Sequence, residues 1–286
     1  MKRYRWMLCT SMVLFGTLGP FVRNISVSSG ELALYRAVLA IVIIGAVLLA
    51  KGQKIPFGKL KREVPLLLLS GGAMGINWIL LFEAYKYTTV STATLSYYFA
   101  PVIVMAVCPL LFREKPSLLQ IICFVMSTLG LVLITGFGMK GGTDLIGIGF
   151  GLSAAVFYAT VILLNKFIQN VDGLNRTFLQ FLAAIAVLVP YVACTGGVTL
   201  GGLSGIGWVS LLIVGFVHTG LAYCLYFPSV KGLPGQETAV LSYIDPLVAV
   251  ILSVTVLGES MSPWQYVGGA LILGFTLLNE LAPKKE

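Results

Sequence analysis

The sequence is short of charged side chains and contains a single histidine. Lys, Arg, Asp and Glu make up 10% of its 286 residues, whereas ordinary soluble domains contain roughly 25%. A soluble protein of this length needs a polar exterior, so the shortage excludes a water-soluble enzyme, a disordered chain and a secreted disulfide scaffold. The five cysteines lie within apolar runs without metal-ligand spacing, which predicts packing residues and neither disulfides nor a metal site.

Motifs of nucleotide chemistry are missing as well. The sequence contains no phosphate-binding loop and no nucleotide-hydrolysis motif. The stretch Gly147-Ile-Gly-Phe-Gly begins an apolar run and follows no predicted strand, so it does not fit a dinucleotide-binding fingerprint. We therefore expect no cofactor, and the sequence does not support ATP-driven transport within this chain.

Long apolar runs dominate what is present. Hydrophobic residues make up 58% of the chain, and the mean hydropathy is +0.95. A spanning helix uses about 20 apolar residues, and these runs lack the alternation that a membrane-spanning barrel requires. The pattern predicts an all-α integral membrane protein with ten transmembrane helices. The predicted helices cover 5–22, 30–50, 64–85, 91–111, 116–136, 145–165, 177–195, 205–228, 236–257 and 262–281.

The net charge of +8 is distributed unevenly between the two sides of the predicted bundle. Fifteen of the 19 basic residues fall on the side of the N-terminus, three fall on the opposite side, and Arg36 lies within a helix. Basic residues accumulate on the cytoplasmic side of membrane proteins. The asymmetry therefore predicts a multi-pass protein of the cell membrane (plasma or inner) with both termini in the cytoplasm, and it removes any need for a nucleic-acid partner.

An internal repeat relates the two halves of the chain at an offset of 145 residues. Without a gap, this shift superimposes polar and proline positions as well as apolar ones, including Lys86 on Lys231, Pro101 on Pro246, Glu114 on Glu259 and Gln120 on Gln265. We predict a first five-helix repeat over 1–138, a second over 142–281 and a short cytoplasmic tail over 282–286. Because five is odd, the repeats must cross the membrane in opposite senses, which is an inverted repeat.

Corresponding stretches of the two halves carry a family resemblance. They are Ala84-Tyr-Lys-Tyr-Thr-Thr-Val-Ser-Thr-Ala, Tyr98-Phe-Ala-Pro and Phe112-Arg-Glu-Lys-Pro-Ser-Leu-Leu-Gln, with a second copy running from Lys231 through Asp245-Pro246 to Gly258-Glu-Ser-Met-Ser-Pro-Trp-Gln. The chain resembles the drug/metabolite transporter superfamily of the EamA type over nearly its whole length. The resemblance implies export or exchange of small metabolites through a cavity lined mainly by helices one to four and six to nine, with helices five and ten as scaffold.

The repeated prolines are candidate hinges. Pro101 and Pro246 lie near the middle of the fourth and ninth predicted helices. Each removes one helical hydrogen bond and crowds the carbonyl four residues earlier. Two interpretations remain open: a packing kink, or direct contact of the freed backbone with the ligand; a kink beside a cavity fits both.

Polar residues found in only one half are candidates for substrate contact, because residues shared by both halves serve the common fold. By this criterion Asn77, Glu83 and Asp245 are predicted to bind substrate, and Glu83, His218 and Asp245 are candidates for proton coupling. Arg36 is interpreted as a structural charge. Alternatives stay open: Asp245 as a buried partner of Arg36 or a neutral acid, and His218 as a core histidine with its hydrogen bonds satisfied.

Aromatic residues within the helices complete the predicted site. Trp78, Tyr97, Tyr158 and Tyr223 offer ring faces that bind organic cations and other rings. The prediction is a secondary transporter, not an enzyme, that acts as a monomer by alternating access on a small polar metabolite such as an amino acid or amine, with protons as the candidate coupling ion. An intramembrane enzyme with an acidic pair and a passive channel are the alternatives. Substrate identity, direction of flux, coupling ion and oligomeric state are left open.

Overall fold

The protein is described by a computed structural model over residues 1–52, 63–112, 116–137, 142–171 and 173–281. Throughout these ranges the chain forms helices joined by short connections, and no strand occurs in them. This outcome confirms the predicted all-α class. Its physical reason is that a helix satisfies its own backbone hydrogen bonds, as a chain surrounded by lipid must.

The first half contains seven helical segments. They are α1 (Lys2–Gly16), α2 (Leu18–Arg23), α3 (Ser29–Ala50), α4 (Val64–Tyr87), α5 (Val90–Tyr97), α6 (Ala100–Phe112) and α7 (Leu118–Phe137). The pairs α1–α2 and α5–α6 each form one interrupted membrane span. The half therefore crosses the membrane five times.

The second half repeats this arrangement. Its segments are α8 (Gly142–Phe167), α9 (Gly173–Thr195), α10 (Gly205–Leu212), a π-helix (Ile213–Leu221), α11 (Ala222–Gly232), α12 (Gly235–Ser242), α13 (Ile244–Thr255) and α14 (Pro263–Leu281). The π-helix joins α10 and α11 into one continuous span, and α12 and α13 form another interrupted one. A short 3₁₀ turn, Leu200–Gly202, precedes α10.

The described helices account for the ten predicted spans. Eight of them are long and apolar enough to cross a membrane by length and composition. The ninth span is α12–α13, whose apolar part, Val240–Thr255, is shorter. The tenth is α14. The apolar part of the ninth span is short because Gln236, Glu237 and Thr238 occupy its first turn.

The offset of 145 residues found in the sequence also relates the helix bounds. Helix α5, Val90–Tyr97, corresponds residue by residue to α12, Gly235–Ser242, and the end of α4 at Tyr87 corresponds to the end of α11 at Gly232. The two halves are inverted five-helix repeats, since an odd number of crossings reverses the direction of the second copy.

Two sets of contacts define the ends of the bundle. At the end that carries the N-terminus, here called the terminal end, Arg5 forms an ion pair with Glu237. At the opposite end, here called the distal end, Arg23 forms an ion pair with Glu259. The first span thus contacts the ninth span at one end and the connection between the ninth and tenth spans at the other.

The fifth and tenth spans, α7 and α14, pack closely against each other. A Cβ atom added to Gly130 would lie 2.6 Å from the carbonyl oxygen of Gly268. The two backbones therefore approach to a distance that only glycine allows, as in small-residue packing motifs of membrane helices.

Several predictions fall on residues outside the described ranges. They are the basic residues within 53–62, the Arg113-Glu-Lys segment, Lys140, the proposed boundaries between 138 and 142, and the tail 282–286.

Candidate functional site

A cavity of about 430 Å³ lies where the two halves meet. Its lining is rich in tyrosine and includes three charged side chains, Arg36, Asp245 and Glu280. The aromatic residues that line it are Phe15, Trp78, Tyr85, Tyr97, Tyr98, Tyr158, Tyr223, Tyr226 and Tyr243. The cavity is therefore mostly apolar with a few polar groups, which is the usual character of a small-molecule site.

The fourth and ninth spans, which correspond to each other in the repeat, both break at the cavity. Helix α5 ends at Tyr97 and α6 begins at Ala100, while α12 ends at Ser242 and α13 begins at Ile244. Pro101 and Pro246 lie in the first turn of the helix that follows each break. Proline is tolerated there because the first-turn N–H groups have no helical acceptor. Each predicted kink is thus an interruption of the helix, beside which Pro101 lines the cavity and Pro246 is buried.

Asp245 connects the two breaks. The hydroxyl of Tyr98, in the break of the first repeat, donates to Oδ2 of Asp245 at 2.5 Å. Asp245 lies in the first turn of α13, directly after the break of the second repeat, so this hydrogen bond crosses between the halves. A hydroxyl that donates to a carboxylate forms one of the stronger classes of hydrogen bond.

Arg36 lies on the cavity wall and is only 5% exposed. Its Nε donates to Oγ1 of Thr219 at 2.7 Å. Its guanidinium carbon lies 4.6 Å from the ring centroid of Trp78 and 5.6 Å from that of Phe82. Arg36 and Asp245, both in the described part of the chain, do not form an ion pair, so the interpretation of Asp245 as a salt-bridge partner of Arg36 is not realised.

The π-helix of the eighth span orients two polar side chains. Thr219 donates through Oγ1 to the carbonyl of Val214, five residues earlier, at 2.8 Å. His218 shares a 2.8 Å hydrogen bond through Nε2 with Oγ1 of Thr17, at the interruption of the first span. His218 is 2% exposed and is absent from the cavity lining. Its burial and its hydrogen bond to Thr17 match the alternative of a core histidine.

Ring contacts link aromatic residues of both repeats. Tyr97 stacks on Tyr158 with ring centroids 5.2 Å apart. Phe181 contacts Trp78 at 5.1 Å and Tyr223 at 5.5 Å, in both cases edge to face. The four aromatic residues selected from the sequence all line the cavity. Phe181 is not in the lining, but its ring contacts two of them, Trp78 and Tyr223.

Two other selected residues lie away from the cavity. Asn77 is 2% exposed, and its Nδ2 donates to the carbonyl of Ala154 at 2.7 Å. Glu83 accepts hydrogen bonds from Ser29 at 2.6 Å and Lys86 at 2.9 Å. Neither residue is in the cavity lining. Successive helix positions differ by about 100°, so the neighbour of a cavity residue points elsewhere.

Glu280 is a cavity residue that the sequence analysis did not select. It lies one residue before the end of α14, where an acidic side chain is usually solvated. The tenth span therefore contributes to the cavity, whereas the resemblance assigned it to the scaffold. The seventh span, α9, contributes none of the described lining residues. One signal was available: the repeat places Glu280 opposite Thr135, so the acid occurs in a single half.

The distal end of the bundle is closed by a polar network around Glu259. Its Oε1 accepts from Nη2 of Arg23 at 2.7 Å, and its Oε2 accepts from the N–H of Val90 at 2.8 Å and from the hydroxyl of Ser253. Arg23 also donates to the carbonyl of Thr88 at 2.9 Å. The network joins the first span, the start of the fourth span and the connection after the ninth.

A second carboxylate organises the terminal end. Glu63 precedes α4, is buried, and accepts through Oε1 from the N–H groups of Gln169 and Asn170 at 2.9 and 3.0 Å and from the Asn170 side chain at 2.8 Å. Burial by itself raises the pKa of Glu63, but these donors favour the carboxylate and bring its pKa below the usual value.

The described residues do not group three or more His, Cys, Asp or Glu side chains in a way that could hold a metal ion. The acidic pair required by the enzyme alternative is also not formed by the candidate residues. Asp245 is hydrogen bonded to Tyr98, Glu83 to Ser29 and Lys86, and His218 to Thr17.

Comparison with known proteins extends these observations to the whole chain. The model of the EamA-like transporter family matches residues 3–136 and again residues 145–280. A crystal structure of another protein superimposes with a TM-score of 0.68 at 17% sequence identity, covering 96% of this chain and 95% of that one. That likeness concerns the fold alone.

Individual relatives agree with the family match. The uncharacterized transporter YxxF of Bacillus subtilis is 32% identical over 92% of this chain and 84% of its own length. The uncharacterized inner membrane transporter YicL of Salmonella typhimurium is 25% identical over 96% of this chain and 94% of its own. Protein RarD of Streptomyces exfoliatus is 24% identical over 85% and 76%, respectively. With two family matches that together span nearly all of its residues, this multi-pass membrane protein belongs to the EamA-like transporter family.

Proposed function

We propose that the protein is a secondary transporter that moves a small polar metabolite, such as an amino acid or amine, by alternating access. The observation that supports this most directly is the position of the cavity, which lies between the interrupted helices of two inverted repeats. In transporters of this type, broken helices meet at a central site, and rocking of one repeat against the other exposes that site to either side.

The two ends of the bundle favour a state that opens toward the terminal end. The cavity lining extends to Thr238 and Glu280, both close to the terminal end of their helices. At the distal end, the network around Glu259 joins three connections. With both termini in the cytoplasm, as the charge distribution predicts, this state faces inward.

The cavity favours a solute that carries a cationic group. Asp245 places a carboxylate in a largely aromatic surrounding, and aromatic faces attract organic cations. Glu280 adds a second acid at the mouth of the cavity. An ammonium group bound near Asp245 would gain both the charge and the ring contacts.

Asp245 is also the coupling residue that we favour among the three candidates. It lines the cavity, so substrate and proton can compete for the same carboxylate. His218 and Glu83 lie outside the lining and would have to act indirectly. The expected cycle exchanges one proton for one cationic group at Asp245.

The test is a counterflow assay with the purified protein in proteoliposomes. Amino acids, amines and nucleobases are offered as labelled solutes at two pH values, with Asp245→Asn as the variant and Glu83→Gln as the matched control. We expect Asp245→Asn to abolish proton-driven uptake, whereas Glu83→Gln retains it. Absence of solute-specific flux in the wild type would refute the proposal, and unchanged proton dependence in Asp245→Asn would remove the coupling role.

A further inference from the structure

The guanidinium of Arg36 is a buried positive charge inside the bundle of membrane spans. It lies within the second span, is 5% exposed, and has no acidic partner within ion-pair distance in the described part of the chain. Charged groups inside a membrane protein are costly and are nearly always paired or used. The group that compensates the positive charge of Arg36 therefore has to be identified.

Its hydrogen bonds leave most of the guanidinium unused. An arginine has five N–H donors. Only the Nε donor has an acceptor among the described residues, the hydroxyl oxygen of Thr219 at 2.7 Å. The two terminal nitrogens have none there, and they are not among the buried atoms without partners. Since Arg36 lines the cavity, these four N–H donors are available to the cavity contents.

The protein holds this donor set in a defined orientation. Oγ1 of Thr219 donates its own hydrogen to the carbonyl of Val214, so its lone pair is directed to Nε of Arg36. The π-helix makes this possible, because it aligns Thr219 with the carbonyl five residues earlier. The indole of Trp78 covers one face of the guanidinium at 4.6 Å. Two parallel donors on a fixed, planar group match the two oxygens of a carboxylate.

We propose that Arg36 binds an acidic group of the transported solute, most simply a carboxylate, through its terminal nitrogens. The inference rests on the proposed transport function and narrows it. Apart from Glu280 at its mouth, the cavity carries one charge of each sign, Arg36 and Asp245, and these two lie farther apart than an ion-pair distance. A solute with both an ammonium and a carboxylate neutralises both protein charges, whereas a simple amine leaves Arg36 without an anion. The preferred solute is an amino acid.

Binding measurements with matched probes test this without depending on transport. The full-length protein in lipid nanodiscs is titrated with L-phenylalanine, 2-phenylethylamine and 3-phenylpropionate, and with the corresponding leucine set: L-leucine, 3-methylbutylamine and 4-methylpentanoate. Within at least one set, we expect the amino acid to bind at least tenfold more tightly than the amine. Equal affinities of amine and amino acid in both sets, or no binding of any carboxylate probe, would overturn the proposal.

Variants then locate the effect. Arg36→Gln should weaken the amino acid and the acid at least tenfold and leave the amine within twofold, and Arg36→Lys should restore part of the loss. Asp245→Asn is the mirror control, since it should weaken the amine and spare the acid. Unchanged affinity for both carboxylate probes in Arg36→Gln contradicts the assignment.

Two further variants distinguish carboxylate binding by Arg36 from a purely structural role of this residue. Thr219→Val removes the Nε acceptor and the hydrogen bond to the Val214 carbonyl but keeps the guanidinium, so we expect a loss of several-fold for carboxylates alone. This variant and Arg36→Lys carry the test if Arg36→Gln does not fold. If Arg36 only neutralises Asp245, the double variant Arg36→Gln/Asp245→Asn should recover wild-type affinity for carboxylates, which would refute the proposal.

The outcome also distinguishes the inference from the transport function. Arg36-dependent binding of carboxylates without flux in proteoliposomes would refute transport and leave the anion site in place. Flux of amines that is insensitive to Arg36→Gln would refute the anion site and leave transport in place.

Discussion

Replacement of Glu259 by Gln should open the distal end of the bundle. Its carboxylate accepts from Arg23 and from the N–H of Val90, at 2.7 and 2.8 Å, and from the hydroxyl of Ser253. A neutral amide loses the ion pair, and its NH₂ group faces donors in place of acceptors. The residues that hold the first, fourth and ninth spans together at this end would then separate more easily.

The size of the effect follows from the exposure of the pair. Hydrogen bonds to a charged group contribute about 1.5–3 kcal/mol each when well shielded. The side chain of Glu259 is 14% exposed, but that of Arg23 is 36% exposed, so solvent screens part of the interaction. We expect a net loss of about 1–2 kcal/mol for the closed distal end, which changes a two-state equilibrium by roughly 5- to 30-fold.

Cysteine accessibility measures this equilibrium directly. Thr94 lines the cavity and is 4% exposed. In a variant without the five native cysteines, Thr94→Cys is labelled with a membrane-impermeant maleimide added at the distal side. Glu259→Gln should raise the labelling rate by the factor above.

Lys86→Gln provides the matched control. It breaks the 2.9 Å ion pair with Glu83, which lies within one helix at the same end and joins no separate elements. Its labelling rate should equal that of the parent. The reasoning fails if Glu259→Gln labels at the parent rate, or if both variants accelerate labelling equally.

Three further sets of substitutions test the Asp245 hydrogen bond, the two helix breaks and the terminal end. Tyr98→Phe removes a donor to a half-buried carboxylate, so it should lower the unfolding free energy by about 1.5–3 kcal/mol, unlike Tyr158→Phe, in thermal melts of the detergent-solubilised protein. Pro101→Ala and Pro246→Ala should slow counterflow more than they lower melting temperature, because alanine lacks the ring that fixes the backbone φ at the start of the helix after each break; unchanged turnover in both refutes a hinge role. Glu63→Gln should lower the melting temperature at neutral pH, and its difference from the wild type should shrink as the pH falls below about 4.5, since a carboxyl whose folded pKa is lowered stabilises only while ionised; a difference independent of pH contradicts this.

The spans and their order were accessible from local patterns. Each apolar run must satisfy its backbone within itself, so hydropathy alone placed the helices to within a few residues. The repeat added the rest of the architecture, because identical offsets of Pro101 and Glu114 to their copies require that both halves share one arrangement of helices. An odd number of spans per half then made the inversion unavoidable.

Local patterns were less informative about which way each side chain points. Asn77 and Trp78 are adjacent and both appeared as cavity residues, but Asn77 binds the backbone of Ala154 while Trp78 faces the cavity. The apolar moment of a membrane helix is weak, since lipid and protein interior are equally apolar, so the sequence does not reveal which side of α4 points inward. Which of the two residues faces the cavity is therefore decided only by the packing of the neighbouring helices.

Composition, charge and the repeated spacing were sufficient to establish a ten-helix inverted membrane protein, because these constraints act along the chain. Which charged side chains line the cavity was decided by the packing of the helices alone. The sequence led us to interpret Arg36 as a structural charge, but it did not identify the partners of Arg36, Thr219 and Trp78, which are distant in sequence. Electrostatic and hydrogen-bond energies depend on the distances between groups on different helices, which only the assembled bundle defines.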